Sequence, residues 1–189
     1  MTVESHANMI GPLTLQFAAL LSGRLEVAVG LETIHPVAIT HLNKRLELPR
    51  FDSAAAFLAH HDIDLRAFVL LGAPYVPAAE SIEWTVRTVE YAASRGARRV
   101  AIIPVRSGNG ELERLQALGN FVPPTLAQLE SALGACHGIK SAVVTADLWD
   151  IERLPGCESC RPRRVARIQT MNLSTSTQPP TPIPCSECA

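Results

Sequence analysis

Four short apolar runs, Leu25–Leu31, Leu65–Leu71, Arg99–Val105 and Ser141–Leu148, alternate along this chain with segments of helical periodicity. Glycines or polar residues gather where the first three end: Glu32-Thr33, then Gly72-Ala73-Pro74, then Arg106-Ser107-Gly108-Asn109-Gly110. Strands that run the same way must be joined by a crossing segment, and a helix is the usual crossing segment, so the pattern demands a parallel sheet covered by helices. A (β/α) barrel, or part of one, satisfies it. A doubly wound sheet satisfies it too, and periodicity does not separate the two. In both, ligands meet the sheet at the C-terminal ends of the strands, which puts Glu32 forward as a ligand contact. Its alternative is a cap for the helix that begins near Pro36.

The helical segments are expected at Pro12–Ser22, closed by Gly23; at Pro36–Leu46; from Asp52 as N-cap through His61; after Pro77, with Ile82, Val86, Val89 and Ala93 on one side and Gly96 as the stop; and at Thr125–Ala135. Thr2-Val3-Glu4 has the character of a strand ending in a carboxylate. With 47% hydrophobic but only 5% aromatic residues, the chain suits an α/β core of Ala, Val and Leu better than a sandwich. No apolar run approaches the roughly 20 residues of a membrane span, and the first ten residues lack the basic start and apolar core of a signal peptide, so a cytoplasmic protein without a membrane partner is expected.

A barrel-like pattern covers residues 1–152, and residues 153–189 differ in kind. They hold four of the five cysteines as Cys157-x2-Cys160 and Cys185-x2-Cys188, and five arginines against two glutamates. Each Cys-x2-Cys pair can present two thiolates to one tetrahedral metal, so this tail is expected to bind zinc or an auxiliary iron–sulfur cluster. Against that stands a tail of unpaired thiols, since 174–184 is low-complexity and proline-rich and cannot build a core by itself. Metal binding would supply the missing folding energy. Arg161, Arg163, Arg164 and Arg167 follow the first pair, where they either contact RNA phosphates or solvate a short helix. Cys136, at a helix end, is expected to be a packing thiol.

A resemblance rests on an ordered set of segments: VES at 3–5, VAVGLETIHP at 27–36, LNKRL at 42–46, FVLLGAP at 68–74 and IIPVRSGNG at 102–110. Together they resemble the C-terminal half of a radical S-adenosylmethionine enzyme of the group that contains oxygen-independent coproporphyrinogen oxidases, Elp3-like proteins and archaeosine-synthase-related proteins. The resemblance implies an incomplete TIM-like barrel with S-adenosylmethionine across the strand ends. It implies Glu4 at the cofactor ribose, Glu32 facing the cofactor, Lys44 near the methionine carboxylate, and Gly72 as the glycine that lets the cofactor approach.

The family's [4Fe–4S] cluster is held by Cys-x-x-x-Cys-x-x-Cys, and that spacing is absent from this sequence. The resemblance therefore implies a truncated or split protein whose barrel cannot bind the cluster and is inactive in radical chemistry by itself, so that enzyme activity stays open. An N-terminal half or a partner subunit would complete it. The alternative function is a non-catalytic basic zinc-ribbon-type module that docks on RNA or a partner enzyme. An ordinary barrel hydrolase or isomerase is disfavoured, because no nucleophile elbow or His-Glu zinc motif occurs.

Overall fold

In the computed structural model, which describes residues 1–42, 48–173 and 183–185, the four apolar runs and the segment Thr2–Glu4 form one five-stranded parallel sheet. The strands are β1 (Thr2–Glu4), β2 (Glu26–Glu32), β3 (Asp64–Leu71), β4 (Arg99–Pro104) and β5 (Val143–Ala146), and they lie side by side in sequence order. Each pairs in parallel with the next, in registers such as Glu4 beside Ala28, Ala28 beside Arg66, and Ala101 beside Thr145. β1 and β5 do not pair with each other, so the sheet is unclosed. Sequential parallel order is that of a (β/α) barrel segment, whereas a doubly wound sheet reverses direction at a switch point. The alternative left open by periodicity is thereby settled as a partial parallel barrel.

Among the described residues seven α-helices connect or cover the strands: α1 (Pro12–Ala19), α2 (Pro36–His41), α3 (Leu48–His60), α4 (Ser81–Ser94), α5 (Glu111–Ala117), α6 (Leu126–Cys136) and α7 (Arg161–Leu173). Alternation within the strands sends Val27, Val29 and Leu31 of β2, Leu65, Ala67, Val69 and Leu71 of β3, and Val100 and Ile102 of β4 into one core. Phe51 and Leu58 of α3, Val89 and Ala92 of α4, Leu126, Leu129 and Leu133 of α6, and Ile168 and Met171 of α7 meet them there. Each fully buried side chain of this size stabilises the fold by roughly 1.5–3 kcal/mol. The residues between them in sequence, Thr2, Glu4, Glu26, Ala28, Arg66, Phe68 and Arg99, lie on the opposite face.

Local chemistry sets several boundaries. α6 starts at a reciprocal cap, in which Thr125 Oγ1 accepts from the Gln128 amide at 3.1 Å and Gln128 Oε1 accepts from the Thr125 amide at 2.8 Å. α3 begins earlier than the Asp52 cap predicts, with Pro49 in its first turn where a missing N–H costs nothing. Asp52 instead projects from that helix and accepts from Tyr91 Oη at 2.7 Å and Arg95 Nε at 2.8 Å. α1 ends at Ala19 rather than near Gly23, and Leu13 and Leu20 are 71% and 82% exposed. α2 is described to His41, and the expected continuation through 43–46 lies outside the described residues. No helix among the described residues is long and apolar enough to cross a membrane.

Candidate functional site

β1 and β2 deliver two carboxylates to one place. Glu4 and Glu32, each the last residue of its strand, line a cavity of about 370 Å³ together with Ser5, His6, Ala28, Gly30 and Phe68. That size falls within the range of small-molecule sites. β2 is irregular there. Its register with β3 slips between Gly30 and Glu32, and Glu32 takes a left-handed backbone, φ 65°, which costs a residue with a Cβ on the order of 1–3 kcal/mol. A bulge of this kind re-aims a side chain, and the Glu32 carboxylate folds back over Gly30. A Cβ on Gly30 would stand 2.5 Å from Glu32 Oε1, so a side chain at this position would push the Glu32 carboxylate aside.

The helix-cap alternative for Glu32 is answered by His35, whose Nδ1 accepts from the Ala38 amide at 3.1 Å and caps α2. His6 belongs to the same cavity as the two glutamates and was not among the sequence candidates. Its Nδ1 accepts from the Asn8 amide at 3.2 Å in the turn after β1. The only sequence signal for it is its position two residues beyond a strand end.

The other strands bring further groups to the same end of the sheet. Gly72, φ 74°, follows β3, and its amide donates to Ser81 Oγ at 2.9 Å. A Cβ at Gly72 would meet Pro124 Cδ at 2.7 Å, so close packing against that proline already demands glycine. Arg106, after β4, donates through Nη1 and Nη2 to Asp147 Oδ2, at 3.1 and 3.2 Å, just beyond β5. Lys44 lies outside the described residues.

A second cluster forms at the start of α7. The ligand atoms of Cys157, Cys160 and Cys185 lie within 4.8 Å of one another, and Cys157 Sγ is 3.8 Å from Cys185 Sγ. Sulfurs at the corners of a tetrahedral zinc site with bonds of about 2.3 Å stand about 3.8 Å apart, which is the separation of Cys157 and Cys185, and Cys160 lies near enough to join them. Four thiolates suit an iron–sulfur cluster as well. Cys188 lies outside the described residues. Cys160 is buried, and Cys157 and Cys185 are half-buried.

The arginines after Cys160 divide by helix face. Arg164 and Arg167 are buried and paired with Glu130 of α6, while Arg161 pairs with Glu158 and donates to the Leu154 carbonyl at 3.1 Å. Of the four arginines considered as RNA contacts, Arg163 is the exposed one. Cys136 is 1% exposed, and burial, reinforced by the Glu90 charge, pushes its thiol up to about 12.

No family model matches the chain, and no curated protein matches it. Among solved structures, the chain is similar to the archaeal Methanocaldococcus infernus Elp3 with an N-terminal deletion, at a TM-score of 0.67 and 14% sequence identity. The match covers 92% of this chain and 42% of that one, so the chain spans less than half the length of the structure it resembles. At that identity the likeness establishes a shared fold and nothing finer.

Proposed function

We propose that this chain supplies the S-adenosylmethionine-binding strand ends of a radical-enzyme barrel and carries a metal held by Cys157, Cys160, Cys185 and Cys188, zinc by preference over an auxiliary iron–sulfur cluster. The observation that carries the reading is the shared cavity of Glu4 and Glu32 at the end of a sheet with Elp3-like order. Two carboxylates suit a ligand with ribose hydroxyls and a positively charged amine and sulfonium. Glu4 accepts from the ribose, Glu32 faces the charged part, Gly72 allows close approach at β3, and Lys44 answers the methionine carboxylate. S-adenosylmethionine, when bound, contributes the 5′-deoxyadenosyl group of radical chemistry. The cluster that starts such chemistry needs the Cys-x-x-x-Cys-x-x-Cys spacing that this sequence lacks, so it is supplied by further polypeptide or by a partner subunit that pairs on the β1 edge. By itself the chain binds the cofactor and does not turn it over.

Calorimetric titration of the chain with S-adenosylmethionine tests the binding half. Binding is expected for the wild type, and Glu32→Gln should weaken it roughly 10- to 100-fold, the effect of one charge-assisted hydrogen bond. No heat with the wild type, or equal affinities for the two proteins, would refute the site. Reconstitution with iron and sulfide, reduction, and assay of 5′-deoxyadenosine tests the other half: sustained product from this chain alone would overturn the need for a partner.

A further inference from the structure

We propose that Arg164 is a positioning residue of the cysteine-held metal centre, orienting the Cys160 sulfur with its Nε–H and tying that sulfur to α6 through Glu130. The inference rests on the reading of the cysteines as metal ligands.

Helical spacing begins it. Cys160 directly precedes α7, and the Arg164 amide donates to the Cys160 carbonyl at 3.0 Å, so the two side chains stand one turn apart on the same face. Arg164 Nε donates to Cys160 Sγ at 3.1 Å. Another edge of the same guanidinium, at Nη1, bonds Glu130 Oε2, and Arg167 Nη1 lies 3.1 Å from Glu130 Oε1. Cys160, Glu130, Arg164 and Arg167 are 1%, 2%, 8% and 7% exposed. A guanidinium presents rigid, divergent N–H donors and can hold a sulfur and a carboxylate at once in fixed geometry; an ammonium is a point charge and cannot fix both directions.

Charge and chemistry agree. The Arg164 Nε–H is a cationic donor, and a hydrogen bond from such a donor is stronger to a thiolate than to a neutral thiol. Metal binding requires that same thiolate. A donor on a metal-bound thiolate fixes its direction and offsets its charge, and groups of this kind are worth about 10- to 100-fold in metal affinity. Glu130 then does for Arg164 what Arg164 does for Cys160, so occupancy of the centre is linked to the docking of α7 on α6.

Two measurements on the full chain test this. Zinc affinity is measured by competition with a chromophoric chelator for the wild type, Arg164→Lys and Cys185→Ser, and cobalt-substituted protein is examined for thiolate-to-cobalt charge transfer. Arg164→Lys keeps the charge and is expected to bind zinc about 10- to 100-fold more weakly, with a shifted charge-transfer band. Cys185→Ser is expected to lose tight binding. Arg164→Lys binding like the wild type overturns the role of Arg164 and leaves the metal site standing; a wild type that binds neither metal overturns both. Should Arg164→Lys fail to fold, wild-type protein loaded with an NMR-active cadmium isotope decides. Scalar coupling between the metal and the Arg164 Nε proton across the hydrogen bond is expected, and its absence in a cadmium-loaded, folded sample refutes the contact.

Discussion

Glu26 shows how much a single side chain can do on the face of the sheet away from the helices. It is 4% exposed at the start of β2 and accepts from Thr2 of β1 at 2.8 Å and from Arg99 of β4 at 2.6 Å, with Arg66 of β3 also 2.8 Å away, so one carboxylate links four strands. Burial by itself would raise its pKa, but the hydrogen bonds from Arg99 and Thr2 and the charge of Arg66 outweigh that and hold it below its ordinary 4.5. A depressed carboxyl pKa stabilises the fold fully above the unfolded value and is lost as pH falls through the folded one. Between the two, the unfolded chain binds the additional proton and stability rises with pH. Denaturant unfolding followed from neutral pH down through 4.5 should therefore show that rise, and Glu26→Gln should flatten it while costing on the order of 1–3 kcal/mol at neutral pH. Equal slopes in the two proteins would refute the role. Cys136 supports a second expectation. With its thiol at about 12, it should resist alkylation in the folded protein at neutral pH, while Cys157 and Cys185 become reactive once a chelator has removed any metal, as read by mass spectrometry. Glu4 and Glu32 were legible as carboxylates ending apolar runs. Glu26 was not, because it stands inside such a run and its partners Thr2 and Arg99 are 24 and 73 residues away in sequence.

At the scale of elements, α7 is where sequence and structure part most. The cysteine spacing and the arginine run are plain in the sequence, but their consequence depends on Glu130, which sits among Leu126, Leu129 and Leu133 of α6 and looks in sequence like an ordinary polar position on an amphipathic helix. Only when α6 and α7 pack does that carboxylate find the two guanidinium groups. The strands β2 to β5, by contrast, were legible because each lies in a predominantly apolar run between turn residues, with β5 shorter than expected at both ends. The far end of α7 has a separate task. Asn172 Oδ1 accepts from the Ala146 amide and Asn172 Nδ2 donates to the Ala146 carbonyl, both at 2.8 Å, so a side-chain amide stands where a neighbouring strand's backbone would on the outer edge of β5. Asp147, the next residue, holds Arg106. Since α7 starts at the cysteines, loosening its start should expose this edge. Hydrogen exchange at the Ala146 amide is expected to speed up on chelator treatment of metal-loaded protein, and more strongly in Asn172→Ala. Exchange that is indifferent to both would show that α7 holds the edge independently of the cysteines.

For the whole molecule, the open sheet sets the expected behaviour in solution. Among the described residues no strand pairs with the outer edge of β1, which is three residues long, and its own carboxylate, Glu4, gives that edge some protection, since charge and shortness both discourage pairing. The segment that follows β1 in sequence adds apolar surface. Met9 and Leu13 are each 71% exposed and Leu20 is 82% exposed, so these side chains are available for a contact between copies. Burying one such leucine is worth roughly 1.5–3 kcal/mol, and two or three acting together across a contact between copies are enough to drive association at micromolar to millimolar concentration. Light scattering on the isolated chain should therefore show a mass that grows with concentration, and Leu13→Lys combined with Leu20→Lys should reduce it without lowering the melting temperature, because neither side chain is packed in the core. A monodisperse monomer across that range would mean that the edge is adequately guarded by Glu4 and its own shortness. The case for a completing partner would then rest on cofactor chemistry alone.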